Sequence, residues 1–496
     1  NQLFDNRINS VKQLWRNINS VCSLKKSKTT NCINKLIVNG KILNLNCDIC
    51  NGLNDYFSTI GQSLAGCLPS QSKADEVRFR AYLDKPQINS MFCKPVDKDE
   101  LIQTISDLNT NKSAGPDDLS PKLIKDAALS IVEPLTFIFN LSLNNGIVPT
   151  RMKLAKVIPV YKKGEVHLPS NYRPISVLSV FNKLLEKIMH KRLSSYLADN
   201  NILYDLQFGF RKNHSTTMAL MEVVDNILLG LDKGEIIAGV YLDLQKAFDT
   251  VDHKILLHKM ESYGIRGTVH SWFKNYLTDR TQFTAINNAQ SEQCKISVGV
   301  PQGSVLGPLL FLIYVNDIHR AVPGQHISLF ADDTNLFIHG LTAQEVSQKT
   351  KNSIDDLTEW FTVNKLSLSI EKTSFTVFPE TKHSDINVKI GDTPLKMVSS
   401  CKYLGVVIDS ELKWKSHVDY IYKKLIKFVK ILYILRNKLH RTGLKNVYYA
   451  FIHPHLQYGV ELYGTANSTT LDKLIKLNNK ILRIIQFKDK KLSVLE

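Results

Sequence analysis

The sequence predicts an α+β protein on three observations. Apolar residues recur at helical spacing over several long stretches, residues 236–244 form an apolar, β-branched run of strand length, and residues 327–331 and 334–338 flank Asp332-Asp333 as the arms of a hairpin. Taken in order, the chain opens with a helical stretch carrying Val11, Leu14, Trp15 and Ile18. It then passes through a polar Lys- and Asn-rich region and becomes helix-like again over residues 53–64. A helical run with Leu101, Ile105 and Leu108 meets Lys112-Ser113-Ala114-Gly115-Pro116-Asp117, where Gly and Pro enforce a turn. Ser120-Pro121 starts the next helix with a cap and a first-turn proline. Helices dominate to about Asn145, residues 156–161 read as a strand before Lys162-Lys163-Gly164, and residues 180–197 read as a helix. After the 236–244 strand come helices over residues 254–263 and 272–277. The loop Gly299-Val300-Pro301-Gln302-Gly303 follows, of a kind that lets backbone approach a ligand, and then an apolar helix. Near the end Val418, Ile421, Leu425, Phe428, Leu432, Leu435 and Leu439 make one helix stripe, with Lys423, Lys427 and Lys430 on the opposite side.

A chain of 496 residues with 43% hydrophobic content can bury a core across several subdomains. Net charge is +17 and uneven: residues 401–496 hold 18 Lys or Arg against 7 Asp or Glu, whereas residues 236–340 hold 8 against 9. A neutral middle followed by a cationic tail points to a polyanion, most commonly nucleic acid. The cysteines include one CxxC, Cys47 and Cys50. A closed zinc site needs four regularly spaced ligands, so this pair is a weak zinc signal even with Cys32 or Cys67 added, and reduced intracellular thiols are the better reading. No signal peptide opens the chain and no run of 18 apolar residues occurs, which supports neither secretion nor membrane spanning. Asn1 rather than Met stands first, consistent with a piece of a longer polypeptide.

A bare Asp-Asp pair is most often a solvated turn. Here it sits in Leu329-Phe330-Ala331-Asp332-Asp333-Thr334, and a second apolar strand brings Asp243 from 89 residues earlier, so two strands deliver three acids. Apolar strands rarely carry acids to their ends without use. Adjacent carboxylates repel, and a divalent metal resolves the conflict. Mg²⁺ takes hard oxygen ligands, and two ions can activate an attacking hydroxyl and hold a departing oxygen in phosphoryl transfer.

These motifs resemble the reverse transcriptases of non-LTR retrotransposons, the jockey and CR1-like group in particular. Phe330-Ala331-Asp332-Asp333 is similar to the family's catalytic hairpin, and Val240-Tyr241-Leu242-Asp243-Leu244-Gln245-Lys246-Ala247-Phe248-Asp249 to its first palm strand. Gly299-Val300-Pro301-Gln302-Gly303-Ser304-Val305-Leu306-Gly307-Pro308 is similar to its template-side loop, Asn171-Tyr172-Arg173-Pro174-Ile175-Ser176 to its finger motif and Tyr403-Leu404-Gly405 to its primer grip. The resemblance implies a right-hand polymerase with fingers, a palm built on an antiparallel sheet, a helical thumb and an N-terminal helical extension. The expected division is a connector over residues 1–95, fingers over 96–235, palm over 236–395 and primer grip with basic thumb over 396–496, the reverse transcriptase domain proper spanning about 140–410.

By the same resemblance Asp243, Asp332 and Asp333 hold two Mg²⁺ ions, for which Mn²⁺ can substitute, and Leu244 lends a backbone carbonyl. Phe248 gates against a ribose 2′-hydroxyl, its alternative being a core aromatic. Gln302 and Gly303 line the nucleotide and template pocket, Gln302 being otherwise a loop stabiliser. Arg173 pairs with the incoming triphosphate, assisted by Lys162 or Lys163, and Lys372 protonates the leaving pyrophosphate. The implied partners are an RNA template, a DNA primer, their hybrid duplex and deoxynucleotides, with the thumb lysines on the duplex backbone and no membrane. No His, Asp and Asn set for an endonuclease precedes Asn54-Asp55-Tyr56-Phe57, so that function is expected from a missing N-terminal part or another protein. The implied location is intracellular, nuclear during integration and cytoplasmic as a ribonucleoprotein. Other readings are a group II intron maturase-like polymerase and an inactive RNA-binding relic.

Overall fold

The segment Ile236–Leu242 carries no charge and every residue in it is buried, because it is the middle strand of a five-stranded sheet. The order across that sheet is Lys396–Met397, Ser374–Phe378, Ile236–Leu242, Asp333–Gly340 and His326–Phe330. The structure is a computed structural model and describes residues 33–38, 40–68, 75–379 and 386–488. The helix expected around Val11 and Ile18 lies outside them. Pairing is antiparallel on both sides of the middle strand, with Leu242 opposite Thr334 and Tyr241 opposite Ser374, and parallel only at the Lys396–Met397 edge.

Successive residues of the middle strand feed two different cores, which is why an alternating polar pattern is missing from it. Ala238, Val240 and Leu242 pack with the helices His253–Ser262, Gly307–Val315 and Ala343–Val363. Ile237 and Tyr241 pack with Thr216–Asp232 and the C-terminal helices. In that C-terminal region Lys415–Arg436 lies against Ser468–Gln486, burying Ile421, Leu425, Phe428, Leu432 and Leu435. Lys423, Lys427 and Lys430 are exposed on the other side. The helix ends at Arg436 with Asn437 as its cap, so Leu439, expected to close the stripe, stands in the following turn and packs only partly on the same core. No helix among the described residues is long and apolar enough to cross a membrane.

A second five-stranded sheet joins Tyr172–Val177, Leu154–Tyr161, Arg280–Ile286 and Ala289–Gln290, with Cys294–Ile296 also on Arg280–Ile286. Its key pairing is parallel, Leu154 opposite Thr281. One sheet therefore draws strands from both sides of residue 236, where the sequence division placed a boundary. The helix Asn46–Gly66 lies on this sheet, with Ile49, Leu53 and Phe57 packed against Val157 and Tyr172. Asn54 is 1% exposed. Its amide nitrogen donates to the Glu292 carbonyl at 2.9 Å and its oxygen accepts from the Gln282 amide at 3.2 Å, so the described part of the expected connector is docked. Ser120 caps its helix as expected, accepting from the Leu123 N–H, with Pro121 in the first turn.

Candidate active site

The three acids arrive on neighbouring strands. Asp243 follows the middle strand directly, and the Leu242 and Thr334 register sets it beside the hairpin of His326–Phe330 and Asp333–Gly340. Asp333 pairs with Phe330, so the two turn residues are Ala331 and Asp332, and Asp333 already belongs to a strand. This corrects the expected turn of two carboxylates. The register shift separates the side chains: Asp333 shares the strand face of Asn335 and Phe337, while Asp332 stands at the tip.

The three carboxyls are close enough to act on one another through their charges. Burial lifts Asp332 above the usual range, and the Asp243 charge adds to that while Arg173 and Lys162 oppose it. Asp333 is pushed up to about 6, by burial first and then by Asp332 and Asp243. Facing them is a group of cations. Lys372 Nζ lies 2.9 Å from Asp243 Oδ1. Lys162 is lowered by burial, then by the charges of Arg173 and Lys372. Lys163 enters only as a minor charge on Lys162, and Lys162 also feels the opposing charge of Asp243. The strand order explains the meeting, since Arg173 sits opposite Val160 and the Lys162 N–H donates to the Asn171 carbonyl at 2.9 Å. The segment that carries Lys372 is laced to the Asp243 loop: the Ser369 N–H donates to the Asp243 carbonyl and the Gln245 N–H to the Ser367 carbonyl, both at 2.8 Å. Leu244 bridges Leu368.

The loop after Cys294–Ile296 seats beside this cluster. The Gln302 carbonyl accepts from the Ser176 N–H at 2.7 Å. Gly303 has φ +121°, and an added Cβ would lie 2.6 Å from the Ser176 carbonyl oxygen, so only glycine lets the loop approach the strand Tyr172–Val177. Gln302 Nε2 donates to both oxygens of Asp249 at 2.8 and 2.9 Å. Phe248 is half-buried in the short helical turn Ala247–Asp249, stacked on Phe311 at 4.9 Å and edge-on to Phe210 at 6.4 Å. Tyr403 is buried, and Leu404 and Gly405 form the turn between Ser400–Tyr403 and Val406–Asp409.

Two residues absent from the expected set hold this loop. Asp249 anchors Gln302, and burial raises its carboxyl to about 6 against the Gln302 hydrogen bond and the Lys246 charge. Glu186 is fully buried and accepts from the Val305 N–H at 2.6 Å, the Tyr276 hydroxyl at 2.6 Å and Asn182 Nδ2 at 2.7 Å. No local signal marks Glu186, whose helix Val180–Asp199 also carries Lys183, Lys187, Lys191 and Arg192.

Among the described residues no three Asp, Glu, His or Cys side chains are already gathered to hold an ion, and Asp243 is paired with Lys372. The donor set itself fits a hard divalent cation, being all carboxylate oxygen with two members held above their usual range by burial first and then by the neighbouring carboxylate charges. Among the described residues Cys67 is not placed to join Cys47 and Cys50 in a metal site. Cys50 is buried and its thiol donates to the Ala289 carbonyl at 3.6 Å. Cys67 follows the far end of the same helix, about 30 Å from Cys47 at 1.5 Å per residue. Cys32 lies outside the described residues.

A family model described as reverse transcriptase (RNA-dependent DNA polymerase) matches residues 160–408. The chain is 28% identical to "Probable RNA-directed DNA polymerase from transposon BS" of Drosophila melanogaster, over 81% of this chain and 46% of that protein. It is 29% identical to "RNA-directed DNA polymerase from mobile element jockey" of Drosophila funebris, over 84% and 49%, and 28% identical to "Probable RNA-directed DNA polymerase from transposon X-element" of Drosophila melanogaster, over 85% and 47%. The chain thus spans about half the length of the curated relatives it matches. With half of its residues inside the family model and its motifs in order along the two sheets, the chain belongs to the reverse transcriptase (RNA-dependent DNA polymerase) family, and its likeness to these mobile-element polymerases bears out the expected resemblance to the jockey-like non-LTR group.

Proposed function

We propose that this chain is the RNA-directed DNA polymerase portion of a non-LTR retrotransposon protein, adding deoxynucleotides to a primer 3′-hydroxyl on an RNA template. The observation that carries the reading is three aspartates on adjacent strands facing Arg173, Lys162 and Lys372. Asp243, Asp332 and Asp333, with the Leu244 carbonyl, would hold two Mg²⁺ ions, or Mn²⁺ in their place, whose chemistry when bound is to acidify the primer hydroxyl and neutralise charge on the phosphates. Arg173 presents its planar guanidinium to the incoming triphosphate, and Lys162 rather than Lys163 assists it, being the lysine coupled to Arg173 and to the acids. Lys372 gives a proton to the departing pyrophosphate. Its ion pair with Asp243 holds it within reach of the reacting phosphates until substrate enters.

Phe248, backed by Phe311, closes the space where a ribose 2′-hydroxyl would sit. Gln302, pinned by Asp249, and Gly303, pressed on Ser176, shape the nucleotide pocket. The exposed lysines of Lys415–Arg436 carry the hybrid duplex by its phosphates. Nicking of target DNA falls to another part of the element's protein or to another protein, and copying takes place in the nucleus from a ribonucleoprotein assembled in the cytoplasm. The four-part division into extension, fingers, palm and thumb stands in this reading with one change, the strands of residues 280–296 serving the fingers. The test is primer extension on a homopolymer RNA template with matched deoxynucleotide. Incorporation that needs Mg²⁺ or Mn²⁺ and stops with EDTA is expected. No incorporation with any divalent ion, by protein that still binds RNA, would make the chain an inactive relic.

A further inference from the structure

The hairpin that presents Asp332 has an awkward backbone. Ala331, the first of its two turn residues, has φ +57°, a conformation that tight hairpins usually give to glycine and that costs an L-residue free energy. Such a backbone persists only where its surroundings over-determine it. The surroundings here are the segment Leu206-Gln207-Phe208-Gly209, which has no part in the motifs already described. It runs parallel to the hairpin strand: the Leu329 N–H donates to the Leu206 carbonyl at 2.9 Å and the Phe208 N–H to the Leu329 carbonyl at 2.8 Å, with Gln207 bridging Leu329.

Gln207 is 2% exposed. Its side-chain oxygen accepts from the Ala331 N–H at 3.0 Å and from the Gly209 N–H at 2.9 Å. Two N–H donors can be met only by the oxygen, so the amide orientation is settled. The other end, Nε2, is buried with no protein partner among the described residues. The side chain is therefore used as an acceptor. Gly209 is pressed on the same turn, since an added Cβ would lie 2.4 Å from the Ala331 nitrogen.

We propose that Gln207 is a positioning residue for DNA synthesis: its amide oxygen holds the Ala331 backbone in the left-handed turn that aims the Asp332 carboxylate. The inference rests on the reading of Asp332 as a metal-holding acid. It assigns Gln207 no contact with substrate. The side chain acts through the turn, where a shift of about 1 Å in a reacting group can cost on the order of a hundredfold in rate.

The experiment compares wild type with Gln207→Met, Gln207→Glu, Gly209→Ala and Asp332→Asn by two readouts. The first is amide hydrogen exchange over residues 326–334 in metal-free protein, which reports the turn without catalysis. The second is the single-turnover rate of nucleotide addition across a MgCl₂ titration, with affinity for an RNA–DNA hybrid measured alongside. Gln207→Met removes the acceptor at nearly constant volume. It should speed exchange at Ala331 by about tenfold or more, slow addition by about 10–100-fold, raise the Mg²⁺ concentration needed, and leave hybrid affinity within about twofold. Gln207→Glu keeps an oxygen for both N–H groups in either protonation state and should restore both readouts. Gly209→Ala leaves Gln207 in place but pushes on the turn, and should be slow.

Wild-type exchange and rate in Gln207→Met would overturn the proposal. So would equal damage in Gln207→Glu, which would show that the acceptor is not what matters. If Gln207→Met fails to fold and loses hybrid binding, the other two variants decide: an active Gln207→Glu with a slow Gly209→Ala supports the proposal, and the reverse sinks it. Synthesis retained by Asp332→Asn would instead sink the metal-holding reading, whatever Gln207 does.

Discussion

Replacing Asp333 with Asn should stabilise the metal-free protein while removing the activity proposed for it. Burial and the charges of Asp332 and Asp243 raise the Asp333 carboxyl to about 6, roughly two units above an ordinary aspartate near 3.9. A folded-state pKa above the unfolded one means that ionising Asp333 costs stability in full above about pH 6, and that this penalty shrinks as pH falls through 6 and is gone only below the unfolded value near 3.9. Two units correspond to about 2.7 kcal/mol. Asp333 is exposed, however, and solvent screening brings the usable figure down to about 1 kcal/mol. The assay is urea unfolding without divalent ions, followed by the fluorescence of the buried Trp272, Trp360 and Trp414. At pH 8 the variant should resist urea better by about 1 kcal/mol, at pH 5 by about half of that, and the two proteins should coincide only below about pH 3.5. Saturating Mg²⁺ at pH 8 should stabilise wild type and not the variant, closing the gap by mass action. An equal difference at pH 5 and pH 8, or a variant that is less stable at pH 8, would refute the carboxylate coupling.

Phe248→Ala should admit ribonucleotides, read as the ratio of ribo- to deoxynucleotide incorporation; unchanged discrimination in folded protein would return Phe248 to the core it shares with Phe311. Changing Lys423, Lys427 and Lys430 together to Gln should leave stability nearly intact, since exposed substitutions cost about 0.5 kcal/mol or less each. The log–log salt dependence of hybrid binding should flatten by up to about three units, close to one released counterion per lysine. Parallel salt lines for wild type and variant would show that these lysines do not touch the duplex.

Local pattern made part of the molecule legible in the sequence. The uncharged Ile236–Leu242 strand, the hairpin around Asp332, the Ser120 cap and the stripe through Ile421 and Leu435 each write a short-range period or a capping residue into neighbouring positions. The parallel pairing of Leu154 with Thr281 leaves no such trace, because its partners are far apart in the chain and each strand alone is short. Buried polar residues fail for a related reason. Gln207, Glu186 and Asp249 look like ordinary helix or loop residues until their N–H and amide partners, Ala331, Val305 and Gln302, come beside them from distant segments. From sequence the turn falls one residue too late because Asp-Asp reads as turn chemistry, whereas the strand register gives the left-handed position to Ala331. Lys372 shows the limit from the other side: exposed and unremarkable in composition, it gains meaning only from the 2.9 Å contact with Asp243.

In the proposed function the three aspartates perform the chemistry while the basic surfaces supply affinity. Asp332→Asn tests it most directly, with single-nucleotide addition to a DNA primer on an RNA template and the dissociation constant of that duplex measured on the same preparation. Addition should be lost and the dissociation constant should stay within about twofold of wild type, because affinity comes from phosphate contacts elsewhere. Addition near the wild-type rate, by protein that binds the duplex normally, would contradict it.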